Sequence, residues 1–199
     1  RSCLVGSEMC IRDRSKGDRV AVIPASGCGH CELCEEGEFH KCEGFAWHEG
    51  GYSEYIVSKP RYCFRLAEHL PVSDGALVEP MAVALRAIRH ANLVDGQKIL
   101  VLGAGPIGLS CVYWARHFNC EVATLASSDR RKALAKSIGA SQFVIGKNKD
   151  AEALLNELGG APDVVFECTG APGMINLAVD LIKRHSTCLL YTSDAADES

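Results

Sequence analysis

The stretch Lys98-Ile-Leu-Val-Leu-Gly-Ala-Gly-Pro-Ile-Gly108 decides the fold of this chain. Its first residues form a short apolar run, which is typical of a buried strand. Gly103 permits a tight turn, Gly105 lets a pyrophosphate approach the backbone, and Gly108 allows a helix to pack closely on the strand. Because amides at a helix N-terminus attract phosphates, the loop predicts a dinucleotide site. Its residues are Gly103, Gly105, Pro106, Ile107 and Gly108.

Around this loop, apolar strands alternate with helical patterns. This order indicates a parallel sheet covered on both faces, which is an α/β doubly wound fold of the Rossmann type. We expect strands at 98–102, 121–125, 142–145 and 163–168, and helices at 106–118, 129–138, 150–158 and 173–183. Upstream, to about Leu70, short strands at 16–23 and 51–57 are expected instead, separated by turns.

The end of the second strand bears on the choice of cofactor. NAD-binding folds usually place an acidic residue about 20 residues after the loop. Counting back from Gly139, the equivalent position here is Ala126. A small residue leaves room for a 2′-phosphate, and donors to that phosphate follow it: Ser127, Ser128, Arg130 and Arg131. These residues favour NADP. Asp129 offers an alternative, as a helix cap or a ribose ligand, so NAD stays open.

Four cysteines, Cys28, Cys31, Cys34 and Cys42, fall in one short segment with metal-ligand spacing. Four thiolates leave no open position, so the pattern predicts a structural zinc site. An iron–sulfur cluster is the alternative. The bacterial cluster motif ends with proline after its last cysteine, whereas Glu43 follows Cys42 here. His30 and His40 are expected to point to solvent.

Composition excludes several classes of protein. The chain is 47% hydrophobic and 23% charged, as ordinary globular proteins are, and its formal net charge of −4 implies neither nucleic acid nor an anionic membrane as a partner. No apolar run reaches the length of a membrane span. The eleven cysteines show no secreted disulfide framework, which predicts a reducing, cytoplasmic compartment.

The two ends of the chain are related through DNA. One coding of Met9-Cys-Ile-Arg-Asp13 has a reverse complement that encodes Cys188-Leu-Leu-Tyr-Thr192. We therefore interpret residues 1–14 and 188–199 as translated sequencing adapter, to be excluded from reasoning about the fold. Residues 15–187 are then expected to be an internal fragment of a longer protein.

The combined motifs resemble the zinc-dependent medium-chain dehydrogenases, in their alcohol, sorbitol and threonine branch. The four-cysteine lobe, Gly51-Tyr-Ser-Glu-Tyr55, Val78-Glu-Pro80 and the glycine loop occur in that order. The resemblance implies a partial GroES-like domain with the zinc lobe over residues 15–70 and a truncated Rossmann domain over residues 71–187.

The resemblance also implies a function. The intact parent would transfer hydride between an alcohol or polyol and NAD(P), with a second, catalytic zinc, and would form dimers or tetramers. The catalytic ligands would lie upstream, so they are unknown here and the fragment is expected to be inactive. Glu79 matches an acid at or beside the catalytic metal in some relatives. The alternatives are an iron–sulfur electron carrier and a non-catalytic nucleotide-binding module.

Overall fold

A computed structural model describes residues 15–48, 51–146 and 149–191 of the chain. The chain divides into two compact units, residues 1–79 and 80–199. The division falls in the first turn of a helix, nine residues beyond the boundary that the sequence predicts at 70/71. The interpretation of residues 1–14 and 192–199 as adapter-encoded lies outside the described residues.

The first unit consists of short strands and turns. Its elements are β1 (Val20–Val22), β2 (Ala25–Ser26), α1 (Glu32–Glu35), β3 (Ala46–Trp47) and β4 (Cys63–Arg65), with 3-10 turns at Phe39–Lys41, Pro60–Tyr62 and Val72–Leu77. Strands β1 and β4 pair antiparallel, as do β2 and β3. These two small sheets support the cysteine segment, which lies between β2 and β3.

The strand expected at 51–57 does not form, and that prediction is wrong. Residues 51–59 are assigned to no helix or strand, and Tyr52, Tyr55 and Val57 are almost fully exposed. A strand needs a hydrogen-bonded neighbour, and no described strand pairs with this segment. The alternating pattern of the sequence was therefore insufficient here.

The second unit contains a five-stranded parallel sheet with strand order β7-β6-β5-β8-β9. Its elements are α2 (Val78–His90), β5 (Lys98–Leu102), α3 (Pro106–His117), β6 (Glu121–Ala126), α4 (Lys132–Ser137), β7 (Gln142–Ile145), α5 (Ala151–Leu158), β8 (Val164–Glu167), α6 (Met174–Leu181) and β9 (Thr187–Leu190). The predicted Rossmann-type parallel sheet is confirmed.

Strand β5 explains why the sheet is covered on both faces. Ile99 and Val101 belong to one buried apolar cluster, with Val112 of α3, whereas Leu100 and Leu102 belong to the other, which includes Leu154 of α5. Alternate side chains of a strand point to opposite faces. The continuous apolar run at 98–102 therefore serves two cores at once.

The edge strand β9 contains residues that we interpret as adapter-encoded. It pairs parallel with β8, with Val165 opposite Cys188 and Phe166 opposite Leu189. An edge position requires little beyond apolar side chains on the covered faces, and Cys188 packs on one face while Leu189 packs on the other. The origin of this segment in DNA stays a prediction.

Helix α4 is shorter than predicted at its N-terminus. The sequence predicts a helix from Asp129, whereas α4 begins at Lys132 and its N-cap, Arg131, makes no side-chain capping bond. The carbonyl of Asp129 accepts the Lys132 N–H at 2.8 Å, which closes a turn before the helix. This turn follows β6, and it presents the residues expected to bind the 2′-phosphate.

Candidate functional site

The glycine loop joins β5 to α3 at the carboxyl end of the sheet. Strand β5 has β6 on one side and β8 on the other, so the chain reverses its direction across the sheet at this loop. Ligands of open α/β sheets bind in the crevice at such a point. A cavity of about 580 Å³ lies there.

A different physical reason explains why glycine occupies each of the three positions of the loop. Gly103 has a positive φ of 103°, which side-chain-bearing residues rarely adopt. A Cβ on Gly108 would lie 2.1 Å from the Gly103 carbonyl oxygen, so only glycine lets α3 approach the loop. A Cβ on Gly105 would meet no atom of the described residues within 4 Å. The space above Gly105 is thus open to a ligand.

Helix α3 points its N-terminus at this space. Pro106 occupies the first turn, and the first helical amides, including those of Ile107 and Gly108, have no partner one turn earlier. The N-terminus of a helix carries partial positive charge, which favours phosphate. The loop and the helix together therefore form an anion-binding cradle.

The residues expected to bind the 2′-phosphate line the same cavity. Ser127, Ser128, Arg130 and Arg131 lie along one wall, and Gly103 and Gly105 form the floor. Pro106, Ile107 and Gly108 lie in the adjoining first turn of α3. The structure thus places six of the nine residues that the sequence predicts for the dinucleotide around one cavity, and the other three in the helical turn beside it.

Arg131 links two parts of the cavity. Its Nη1 donates a hydrogen bond of 2.8 Å to the carbonyl oxygen of Ala104 in the glycine loop. The guanidinium therefore spans from the end of β6 to the loop above β5. Ala126, the last residue of β6, presents only a methyl group where an acidic side chain would meet a ribose.

On the opposite wall, the sequence suggests only Thr169, at the end of the strand expected at 163–168, as a candidate dinucleotide contact, with a plain turn as the alternative. Cys168, Thr169, Ala171, Met174 and Leu177 complete the cavity. Their position depends on the parallel register that places the end of β8 beside the end of β5. Hydrogen bonding with Cys111, burial and the nearby Glu167 carboxylate raise the pKa of Cys168, so this thiol remains protonated.

The four cysteines converge in the first unit. Their sulfur atoms all lie within 4.8 Å of one another, with Cys28 and Cys34 at 3.9 Å and Cys31 and Cys42 at 3.7 Å. A tetrahedral zinc with Zn–S bonds of about 2.3 Å separates its sulfurs by about 3.8 Å. The site therefore fits one ion and is too small for a cluster of several irons.

Backbone groups complete the environment of the sulfurs. The Cys42 sulfur accepts N–H groups from Cys28 at 3.4 Å and from Gly44 at 3.3 Å. Such donors favour a charged thiolate. A Cβ on Gly27 would lie 2.5 Å from the Cys34 sulfur, so a glycine is needed beside the cluster.

The backbone groups and the neighbouring thiols strongly affect the pKa values of these cysteines. The backbone N–H of His30 lowers the pKa of Cys28 to about 6, assisted by further hydrogen bonds. The Cys34 N–H also favours the Cys31 thiolate, but burial and the neighbouring thiols raise the pKa of Cys31 to about 12. Several thiolates held this close require a positive charge between them.

Tyr62 and Arg61 anchor the cysteine segment to the rest of the unit. The Tyr62 hydroxyl accepts the Gly27 N–H at 2.9 Å, and Arg61 donates to the Gly29 carbonyl at 2.5 Å. Phe39 packs edge-on against the Tyr62 ring at 5.5 Å. These contacts hold the segment in a shape that matches its metal.

The remaining predicted residues are not in either cluster. Glu79 is exposed in the first turn of α2, and the described residues contain no second group of metal ligands that it could join. His30 and His40 are exposed, and His40 lies 3.3 Å from Glu38.

Within the described part of the chain, no helix has the length and apolar character to cross a membrane.

Two family models match the chain. An alcohol dehydrogenase GroES-like domain matches residues 5–68, and a zinc-binding dehydrogenase domain matches residues 106–198. D-xylulose reductase A of Aspergillus oryzae is 31% identical over 183 residues, which cover 86% of this chain and 51% of the relative. The chain thus spans about half the length of the curated relatives that it matches.

Solved structures agree with these matches. A putative zinc-binding dehydrogenase of Sinorhizobium meliloti bound to NADP is 28% identical, with a TM-score of 0.80 over 90% of this chain and 55% of that one. A protein of Escherichia coli described as a short chain alcohol dehydrogenase, complexed with NADH, is 27% identical, with a TM-score of 0.78 over 90% of this chain and 55% of that one. From its two domain matches, its relatives and its fold, this chain belongs to the family of zinc-dependent medium-chain dehydrogenases.

Proposed function

We propose that the chain contributes the structural-zinc lobe and the dinucleotide site of an alcohol or polyol dehydrogenase. The observation that carries this proposal is the cavity over the glycine loop. Gly105 leaves space there for a ligand, whereas Gly108 packs against the backbone of the loop. A nicotinamide cofactor bound there would accept or donate the hydride. The chain's own residues would bind its phosphates and orient it.

NADP is the cofactor that we propose. A 2′-phosphate carries negative charge and needs donors, which Ser127, Ser128, Arg130 and Arg131 offer along one wall. Ala126 supplies neither the charge nor the acceptor that would hold an unmodified ribose. The solved relatives include one with NADP and one with NADH, so the proposal depends on these residues and not on the comparisons.

Arg130 and Arg131 would have different roles at that phosphate. Arg131 already donates to the loop carbonyl of Ala104, so part of its guanidinium is committed to holding the loop. Both arginines are otherwise exposed, and the guanidinium geometry suits paired bonds to phosphate. We propose that Arg130 binds the phosphate directly, while Arg131 also fixes the loop beside it.

The substrate side of the proposal comes from the relatives. The A. oryzae relative is named a xylulose reductase, which supports a small alcohol or polyol as the substrate. A second zinc, with Glu79 at or near it, is proposed for the whole protein, as are a dimeric or tetrameric state and a cytoplasmic location. An iron–sulfur carrier is not favoured, because the sulfurs converge to the spacing of a single ion.

Titration of the full chain with NADPH and NADH, followed by fluorescence, tests the proposal. We expect NADPH to bind at least about tenfold more tightly, since hydrogen bonds to a charged group contribute about 1.5–3 kcal/mol. Arg130→Ala should remove most of that preference, and Ala126→Asp should reverse it. Arg89→Ala, at an exposed arginine of α2 outside the cavity, is the matched control.

The outcomes separate the two parts of the proposal. Tighter binding of NADH would refute NADP as the cofactor while leaving the dinucleotide site intact. Failure of both cofactors to bind a folded chain would refute the dinucleotide site itself.

A further inference from the structure

The four-sulfur cage has one buried half and one accessible half. Cys34 and Cys42 are 4% and 7% exposed, whereas Cys28 and Cys31 are only half-buried. A cavity of about 470 Å³ lies beside the cage, and Cys28 and Cys31 are on its wall together with part of Cys42. We call residues 28–31 the open half of the cage. A chelator or a metal ion would approach the sulfurs from this side.

The buried half of the cage has its own supports. The Tyr62 hydroxyl accepts the Gly27 N–H at 2.9 Å, and the Tyr62 ring packs edge-on against Phe39 at 5.5 Å. Phe39 begins the 3-10 turn that leads into Cys42. A Cβ on Gly27 would lie 2.5 Å from the Cys34 sulfur, so the backbone packs directly behind that atom. These contacts support the two buried sulfurs.

Arg61 holds the open half from outside the loop. Gly29 lies between Cys28 and Cys31, and its carbonyl oxygen accepts a hydrogen bond of 2.5 Å from Nη1 of Arg61. The φ of Gly29 is 92°, and a Cβ there would lie 2.1 Å from the same Nη1. Glycine at this position therefore permits both the turn of the loop and the approach of the guanidinium.

The guanidinium of Arg61 is itself fixed in place. Arg61 lies in the 3-10 turn Pro60–Tyr62, directly before β4, which pairs with β1. Its Cζ lies 5.6 Å from the centre of the Tyr62 ring, which is the distance of a cation–π contact. Arg61 is half-buried, so water competes less with its hydrogen bond. This turn therefore connects the open half of the cage to the sheet.

Charge also favours an arginine at this position. The charge of four thiolates exceeds that of one Zn²⁺, so the loaded cage is anionic. Glu32 and Glu43 line the cavity beside the cage and add further negative charge. A cation that is bonded to the loop between two of the ligands offsets part of this charge. Arg61 thus stabilises the open half by its charge as well as by its hydrogen bond.

We infer that Arg61 is a positioning residue that holds the open half closed and thereby controls how fast zinc enters and leaves the cage. This inference rests on the structural zinc of the function proposed above. It adds that the metal exchanges by local opening of residues 28–31, with Cys34 and Cys42 still in place, and not by unfolding of the whole unit.

Zinc transfer from the full chain to the chelator pyridylazoresorcinol, followed by absorbance, tests the inference. Arg61→Met keeps an unbranched side chain over Tyr62 but removes the donors and the charge. We expect this variant to release zinc about tenfold faster, as loss of a hydrogen bond from a charged group would. Arg65→Met is the matched control, at an exposed arginine of β4 that pairs with Asp18 and Glu68, and it should release zinc at the wild-type rate.

Cysteine labelling shows which part of the cage opens. The zinc-loaded chain is treated briefly with iodoacetamide, and the labelled positions are read by mass spectrometry. Among the four cage cysteines, the first label should fall on Cys28 or Cys31, in the wild type as well as in the variant. Labelling there should be about tenfold faster in Arg61→Met, while Cys34 and Cys42 react later.

A further variant distinguishes local opening from a general loss of stability. Leu66 is 7% exposed in the same unit and lies outside the cage. Leu66→Ala should lower the melting temperature, because it leaves a cavity in the core of the unit. Well below that temperature, it should release zinc within about twofold of the wild-type rate, because local openings do not require global unfolding.

Each outcome bears on a stated claim. If the wild-type chain binds no zinc, the zinc lobe itself is wrong and the inference falls with it. If the wild-type chain binds zinc and Arg61→Met releases it at the same rate, only the inference is overturned. Release rates that simply follow the melting temperatures of the variants would also overturn it. So would a first label on Cys34 or Cys42, since opening would not be confined to residues 28–31.

Discussion

The carbonyl oxygen of Gly103 lies 2.1 Å from the point where a Cβ on Gly108 would be placed. The two glycines are thus in direct backbone contact, while Gly105 between them faces empty space. This difference predicts opposite results for the same substitution made at neighbouring positions.

We expect Gly108→Ala to destabilise the chain and Gly105→Ala to leave its stability nearly unchanged. The added methyl of Gly108→Ala must displace backbone, at a cost of roughly 3 kcal/mol in the free energy of unfolding. The methyl of Gly105→Ala enters the cavity and should weaken NADPH binding by about tenfold or more, since the pyrophosphate needs close approach there. Urea unfolding and cofactor titration measure the two effects, and a stable Gly108→Ala chain would contradict the packing role.

Cys34→Ser should release the metal from the zinc lobe. Structural zinc contributes on the order of 10–16 kcal/mol to folding in small peptides, part of which is offset by ordering the loop. We expect about one zinc per wild-type chain and much less in the variant, with new protease cleavage within residues 27–43. Cys63→Ser is the control, because Cys63 lies outside the four-sulfur group. Equal zinc content in the two variants would contradict the site.

Thr124→Val should stabilise the second unit. Thr124 lies in β6 with 0% exposure, and its hydroxyl oxygen has no hydrogen-bond partner among the described residues. Replacing the hydroxyl with a methyl of similar size removes that penalty, so the free energy of unfolding should rise by about 1 kcal/mol. Thr124→Ser keeps the hydroxyl and loses the methyl, and it should lower stability. A less stable Thr124→Val chain would indicate that the hydroxyl is bonded.

The hydrogen bonds of Asp163 predict that the folded chain loses stability in acid. Its hydrogen bond with Lys183 at 2.5 Å, and the Lys98 N–H at 2.8 Å, lower the pKa of this carboxyl below its ordinary value of 3.8. A carboxyl with a lowered pKa in the folded state stabilises that state above its unfolded pKa and loses this contribution as the pH falls through the folded pKa.

We therefore expect Asp163→Asn to lower the free energy of unfolding at pH 7, by less than about 1 kcal/mol for a partly exposed pair, and the difference from wild type to shrink below about pH 4. Asp180→Asn, at an exposed carboxylate of α6, is the control. A difference that persists unchanged to pH 2.5 would contradict the assignment.

The sequence predicted those parts of the structure that depend on local signals. Gly103 and Pro106 mark the end of β5 and the start of α3, so both bounds were within a residue of those observed. The four cysteines lie close in sequence, and their convergence requires only a short loop. Local chemistry was sufficient in both places.

Features that depend on distant neighbours were not predictable. The segment 51–57 alternates as a strand does, yet without a paired neighbour among the described strands it forms none. Thr169 was a candidate contact from its place at a strand end, but its position in the cavity wall depends on the pairing of β8 with β5. The burial of Glu167, which is 0% exposed, gave no signal in the sequence, because a glutamate after an apolar run is as typical of a strand that ends in solvent.

The metal-binding lobe has a consequence for how the protein is made. All four sulfurs come from the single segment Cys28–Cys42, and its anchors, Arg61 and Tyr62, follow shortly after it. During translation, this lobe would leave the ribosome and bind its ion while the glycine loop and the parallel sheet were still untranslated. Maturation of the lobe would then precede, and need not await, assembly of the nucleotide-binding half.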